Sequence, residues 1–353
     1  MPAPASAPDP ERLPGFVLCR GGLEEVVEAE LRDLNIEVVG RHKRAVEIIT
    51  SLSGFYRANM GLRSALNVLR PIRSFNARNY DLLYYQSRKT NWHKIFPVDA
   101  RLRIDIKGHS PKITHTRYAI HRVKDGITDT FRKLCGGVRP SIEKRDPDVH
   151  VVVYLEKHRA TLALDMSGTP LFKRGYRIEH GEAPMKEDLA AGILSLSGWD
   201  RRSSLMDPMC GSGTIVIEAA EIALGLPAGR NRTFAFMELP SFQKDEYEKL
   251  TKINQKKINH KFYGSDRDNG AIQNSIKNSR KANVETFCRF KNSSISNATP
   301  PTQEPGIILV NPPYGKRIGN RKNLFALYRS CLLYTSDAAD DLLCVDLGGR
   351  RII

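Results

Sequence analysis

Leu205-Met206-Asp207-Pro208-Met209-Cys210-Gly211-Ser212-Gly213-Thr214 decides the fold of this chain. An apolar run from Ser204 to Met206 reads as a strand, and residues 214–224 read as an apolar helix. Between them lies a turn with two glycines, whose backbone can approach a ligand closely because no Cβ intervenes. A glycine turn from strand to helix suits a nucleotide-like cofactor. Taken alone, it also fits another nucleotide or plain turn chemistry.

Further along, residues 306–310 form a second apolar strand that runs into Asn311-Pro312-Pro313-Tyr314. In an alternating strand–helix sheet such a motif sits at the carboxyl edge, where ligands bind. The two prolines fix the backbone and leave carbonyl oxygens free. The Asn311 side-chain oxygen and the Pro312 carbonyl can accept both hydrogens of a planar amine, and Tyr314 can stack on the attached ring. Together, Asp207–Thr214 and the 311–314 clamp imply methyl transfer from S-adenosylmethionine to an exocyclic amino group.

Tyr263-Gly264-Ser265-Asp266 supplies an acid at the end of the next strand, placed to accept from ribose hydroxyls. The distance from the glycine turn far exceeds the roughly 20 residues of a dinucleotide fingerprint, which argues against a dehydrogenase. The competing role for Asp266 or Asp268 is to cap the helix starting at Asn269. Cys210 reads as a small packed residue rather than a nucleophile, because no second cysteine lies in the fourth-strand motif.

The chain has 353 residues, 55 Lys+Arg against 39 Asp+Glu, and a formal net charge of +16, which points to a polyanionic partner such as nucleic acid. The six cysteines show no metal-site spacing and read as free thiols. His109, His115 and His121 lack ligand spacing, so no metal is expected. The sequence shows no secretory signal pattern and no transmembrane run, so a cytoplasmic location and no membrane partner are expected.

The expected organisation is a disordered tail over 1–14 and an α+β unit over 15–74, with a helix over 51–69. A basic unit over 75–168 follows, then a linker and helix over 169–200 and a βαβα unit over 201–330. In the basic unit, Lys107, Lys112, Arg117, Arg122, Lys124 and Arg139 lie on or near one helix and its preceding turn, a plausible phosphate-tracking surface. Arg174, in the basic connector Lys173-Arg174-Gly175-Tyr176-Arg177, is assigned to the same surface.

At this point the residues resemble a known family. Asp207–Thr214, Gly264–Asp266 and Asn311–Tyr314 look like the methyltransferase unit of the bacterial THUMP-domain 23S rRNA (guanine-N2-)-methyltransferase family. Phe172–Arg177 and Ala183-Pro184-Met185-Lys186-Glu187 are similar to that family's bridge into the catalytic domain. Val123-Lys124-Asp125 and Asp165–Gly168 are similar to its THUMP domain. The resemblance covers about residues 15–329.

It implies a ferredoxin-like segment over 15–74, a THUMP RNA-binding domain over 75–168 and a class I S-adenosylmethionine-dependent methyltransferase fold, a Rossmann-like doubly wound sheet. It implies that Asp207, Met209, Gly211, Gly213, Thr214 and Asp266 hold the cofactor, with Pro184, Lys186 and Glu187 closing the pocket. Asn311, Pro312, Pro313 and Tyr314 are then catalytic, and the partner is 23S ribosomal RNA, unassembled or in a partly assembled large subunit. A tRNA guanine-N2 enzyme, an adenine-N6 enzyme and a non-catalytic RNA binder with a vestigial cofactor fold remain the alternatives.

Two departures stand out. Asn292-Ser293-Ser294 replaces the acid the family often carries after its third strand. From about Cys331 the residues, including Leu332–Asp340, resemble translated adapter read-through, so 331–353 is expected to be a non-native tail and this truncated chain to be unstable or inactive.

Overall fold

The structure is a computed structural model and describes residues 12–177, 184–312 and 329. The chain forms two compact units, one of residues 1–171 and 233–252, the other of 172–232 and 253–353.

The first unit is built on one mixed sheet. Its elements run β1 (Leu13–Cys19), α1 (Glu24–Asp33), β2 (Glu37–His42), β3 (Ala45–Thr50), α2 (Leu52–Gly61), β4 (Ala65–Asn76), α3 (Tyr80–Arg88), β5 (Arg101–His109), α4 (Thr116–Leu134), β6 (Ser141–Ile142), β7 (Val149–Glu156) and β8 (Arg159–Asp165). The strands lie in the order β2-β3-β1-β4-β8-β7-β5-β6, so the two expected α+β modules share a single eight-stranded sheet. The join is β4, which pairs with β1 on one edge and β8 on the other.

The expected helix over 51–69 is therefore corrected. It ends at Gly61, and residues 65–76 are strand. Helix α4 buries Ala119, Val123, Ile127 and Phe131, spaced four apart, as one apolar stripe, while its other faces carry charge.

The second unit begins with α5 (Glu187–Leu196), β9 (Leu205–Asp207) and α6 (Thr214–Ala223). The chain then returns to the first unit for residues 233–252, which carry α7 (Lys244–Thr251). This too corrects the expected domain boundaries. In that segment Phe236 stacks on Tyr56 at 4.5 Å, and the Gln243 amide donates to the Tyr56 hydroxyl at 3.1 Å. The second unit resumes with β10 (Phe262–Asp266), α8 (Asn269–Lys281), β11 (Cys288–Asn292) and β12 (Ile307–Ile308).

Among the described residues of this unit, four strands are all parallel, in the order β11-β10-β9-β12. The sequence direction of the sheet reverses at β9, with β10 on one side and β12 on the other. A crevice opens at the carboxyl ends of strands at such a reversal, and ligands of doubly wound sheets bind there. Helix α6 is buried almost all round because its residues are nearly all apolar. Its two acids, Glu218 and Glu221, are fully buried and are answered by Arg174 at 3.3 Å and Arg230 at 2.6 Å.

Candidate active site

At the β9 reversal lies a cavity of about 450 Å³. Its walls come from the glycine turn (Asp207 to Ser212, with Thr214), from Asp266–Asp268 at the end of β10, from Ser294–Ser296 after β11, from Asn311 after β12, and from Pro184 and Met185 before α5. Six of the expected cofactor residues (Asp207, Met209, Gly211, Thr214, Asp266 and Pro184) thus meet in one space, and Asn311 joins them. Pro312 is half-buried beside Asn311 but is not part of the wall, and Pro313 and Tyr314 lie outside the described residues.

The turn is held open by local conformation. Gly213 has φ +79° and caps α6, and a Cβ there would meet Ser275 Cβ at 3.0 Å and Phe290 Cζ at 3.1 Å. Gly211 has φ +52°, and a Cβ there would meet nothing within 4 Å. One glycine is needed for packing, whereas the other keeps the cavity wall bare. Asp266 fixes the turn from the neighbouring strand: its Oδ2 accepts from the Gly211 amide at 2.9 Å and its Oδ1 from the Asp268 amide at 2.9 Å. Asp268 itself caps α8, accepting from the Gly270 amide at 2.8 Å. The capping role weighed for Asp266 thus falls to Asp268. Each carboxylate oxygen of Asp266 retains a lone pair for a ligand hydroxyl.

Asp207 is 2% exposed, and its Oδ1 accepts from the Met209 amide at 3.0 Å. Burial pushes its pKa up to about 7, against the lowering effect of the Met209 amide, and nearby Asp266 adds to the rise. A buried carboxyl this close to neutrality is suited to meeting a ligand cation. Cys210 is 7% exposed and burial drives its thiol pKa well up, so it is a packed thiol.

Three expected site residues have other roles here. Glu187 is 3% exposed and its Oε1 accepts from Arg177 Nε at 2.7 Å, outside the cavity wall; burial raises its pKa although Arg177 opposes the rise. Lys186 is exposed with Nζ 5.3 Å from the centre of the Phe172 ring, also outside the wall. Arg174 is not on an RNA-facing surface: it is 2% exposed and paired with Glu218, which also accepts from the Tyr176 hydroxyl at 3.3 Å. An arginine so buried is held by its counter-ion and cannot reach a phosphate in solution.

Arg177 was assigned no individual role from the sequence. Its guanidinium donates to Glu187, to Ser212 Oγ at 3.0 Å, to the Met185 carbonyl at 2.9 Å and to Thr214 Oγ1 at 2.9 Å. It ties the glycine turn to the segment before α5. Its sequence signal was faint: an arginine in a basic connector, with partners known only from the fold.

In the first unit, the expected RNA-contacting residues divide. Arg122 is bound to Asp81 at 2.8 Å and lies 4.6 Å from the Tyr84 ring centre, and Lys124 is bound to Asp125 at 3.1 Å. Both are half-buried and already engaged, contrary to a free phosphate-tracking role. Lys107, Lys112, Arg117 and Arg139 are exposed. Among the described residues there is no His/Cys/Asp/Glu group that could hold a metal, and no helix is long and apolar enough to cross a membrane.

Three family descriptions match in succession: an RlmL ferredoxin-like domain over residues 15–69, a THUMP domain over 77–165, and an RMKL-like methyltransferase domain over 174–343. The last match runs past residue 330, where the sequence reading ended the family pattern. The chain is 35% identical over 316 residues to the ribosomal RNA large subunit methyltransferase K/L of Vibrio parahaemolyticus, a match covering 87% of this chain and 45% of that protein. The chain therefore spans less than half the length of such relatives.

Among solved structures it resembles a possible methylase from Clostridium difficile 630, with a TM-score of 0.84, 28% identity and coverage of 93% and 87% of the two chains. It also resembles a putative methyltransferase crystallised with SAH, with a TM-score of 0.82, 26% identity and coverage of 94% and 88%. The chain thus carries, in order, an RlmL-type ferredoxin-like domain, a THUMP domain and an RMKL-like methyltransferase domain with a Rossmann-like sheet.

Proposed function

We propose that the protein transfers a methyl group from S-adenosylmethionine to the exocyclic N2 amine of a guanine in 23S ribosomal RNA. The observation that carries this reading is the single cavity at the β9 reversal, which takes in both the glycine turn and Asn311. The relatives named as ribosomal RNA methyltransferases and the SAH-bound structural neighbour support the choice of substrate and cofactor.

The residues fit the cofactor. Gly211 leaves its wall bare, buried Asp207 is placed for an ammonium, and Asp266 keeps acceptor capacity for ribose hydroxyls. Asn292-Ser293-Ser294 stands where the family often has an acid, and Ser294–Ser296 line the cavity there, so hydroxyl and backbone groups would meet the adenine. When bound, S-adenosylmethionine supplies an electrophilic methyl group on its sulfonium.

The target base is extruded from the RNA at an unstacking cost of a few kcal/mol. An amine conjugated to a purine is a poor nucleophile, so its orientation supplies much of the rate. Asn311 and the Pro312 carbonyl accept the two amine hydrogens and turn the nitrogen lone pair toward the methyl group, while Tyr314 stacks on the base. The nitrogen gains the methyl, the sulfonium becomes a neutral thioether, and one amine proton leaves to solvent. No dedicated base is required.

Asn311→Ala is expected to abolish transfer while leaving cofactor affinity intact; retained activity would remove Asn311 from the chemistry. Labelled-methyl transfer to unmodified 23S rRNA, to tRNA and to DNA checks the whole reading. Label on N2 of guanine in 23S rRNA is expected. Label on tRNA or on adenine would reassign the substrate, and binding without transfer would leave a non-catalytic RNA binder.

A further inference from the structure

The first unit carries cations that no described acid neutralises, and the strand register gathers them. Asn76 at the end of β4 faces Arg159, Arg159 faces Glu156 across the β7–β8 turn, and Glu156 faces His109 at the end of β5. One end of the sheet thus collects Arg78, Lys107, Lys157 and Arg159, all exposed. Residues 110–115 connect β5 to α4, so exposed Lys112 and Arg117 stand at this end as well. None of these six makes a salt bridge with a described residue.

The contrast with other basic residues of the unit is direct: Arg101, Arg103, Arg122, Lys124 and Arg132 all have carboxylate partners. Arg139 stands apart, two residues before β6, which pairs with the opposite end of β5. Glu156 is the acid within the cluster, and Asp81 nearby is taken by Arg122.

A cleft of about 490 Å³ lies at the centre of this end, walled by Phe75, Asn76 and residues 156–159. In the first turn of α4, one residue from Arg117, Tyr118 is 51% exposed and meets the Tyr80 ring edge-on at 4.8 Å. Free cations with an exposed aromatic residue among them suit a single-stranded nucleic acid: the cations displace counterions from phosphates, and a ring can stack a base.

We propose that this end of the sheet, centred on the cleft between Phe75 and the Lys157–Arg159 turn, docks the sugar-phosphate backbone of single-stranded RNA. The proposal rests on the reading that RNA is the substrate. It places the contact surface at the end of the sheet instead of the flank of α4 and includes Arg78, Lys157 and Arg159.

The test uses the whole chain and an unmodified 23S rRNA transcript, with affinity measured over a salt series. Lys157→Asn suits the left-handed backbone at that position (φ +52°), and is combined with Arg159→Gln. For the double variant, the slope of log affinity against log salt is expected to fall by about 0.7 per lost phosphate contact, roughly 1.4 in all. Cofactor affinity and melting temperature should stay as in the parent. Lys124→Ala with Arg132→Ala, which removes two paired cations, should leave the slope near the parent's. An unchanged slope in the Lys157/Arg159 variant would overturn this docking surface while the RNA reading stands. A parent chain that binds no RNA at any salt would overturn both.

Discussion

Arg177 joins two stretches of the second unit through one guanidinium. Its four hydrogen-bonded partners are Glu187, Met185, Ser212 and Thr214, and the last three line the cavity. Arg177→Ala is expected to weaken cofactor binding by about 2 kcal/mol, roughly 30-fold, and to leave Glu187 buried without its partner. Arg177→Lys should recover only part of that loss, because an ammonium cannot reproduce the planar fork. Titration calorimetry with S-adenosylmethionine checks this, and equal dissociation constants in parent and variants would deny Arg177 its positioning role.

Asp207 gives a pH dependence with a definite sign. Its folded pKa of about 7 lies above the ordinary 3.8, so between those values the folded form keeps a proton that the unfolded form has lost. Stability from this group is therefore full below about pH 4 and falls as pH rises toward 7, on the order of 4 kcal/mol in all. A ligand ammonium reverses the preference, so cofactor affinity should climb as pH rises through 7. Asp207→Asn should flatten both slopes; an unaltered affinity profile would mean that another group sets it.

Single residues also mark the limit of legibility. Arg174 and Arg177 look alike in the connector, yet one is sealed against Glu218, 44 residues downstream, and the other braces the cofactor turn. Such long-range partners leave no local trace.

At the scale of elements, the strand–turn–helix from β9 to α6 was plain, because an apolar strand, two glycines and an apolar helix follow one another without interruption. Its two glycines should fail differently. Gly213→Ala meets Ser275 and Phe290 and forces a left-handed backbone on alanine, so a loss of about 1–3 kcal/mol in stability is expected. Gly211→Ala meets no neighbour, so its stability loss should be smaller and its main effect a weaker cofactor affinity. Melting curves and cofactor titrations of the pair test this; a larger melting loss for Gly211→Ala would reverse the assignment.

The first residues of β4, 65–69, were expected as the end of a helix, and Pro71 within the strand does not advertise one. A proline inside a strand usually argues against one. Here it sits where the β4–β8 register slips between Pro71 and Arg73, and such an irregularity accommodates the missing donor.

On the scale of the whole molecule, each unit has its own hydrophobic core. One gathers Trp92, Phe96 and Phe131 with Phe234 and Phe236, and the other gathers Leu205, Phe262 and the apolar face of α6. Two calorimetric transitions are expected. S-adenosylmethionine at about 100 times its dissociation constant should stabilise only the second unit's transition, by about 2.7 kcal/mol. A shift confined to the other transition would place the cofactor elsewhere. The alternation of strands and helices made the second unit readable. The return of residues 233–252 was not, since Phe234, Phe236, Phe242 and Tyr247 read equally well as apolar residues of either core.

That return has a consequence for how the protein is made. The aromatic and hydrogen-bonding partners of Tyr56 arrive about 185 residues later in the chain. On the ribosome, the unit synthesised first cannot close its core until the first strand and two helices of the other unit have already emerged. Order of synthesis and order of completion are thus uncoupled, and a cut after residue 171 would yield a fragment with an open aromatic wound in place of a finished domain.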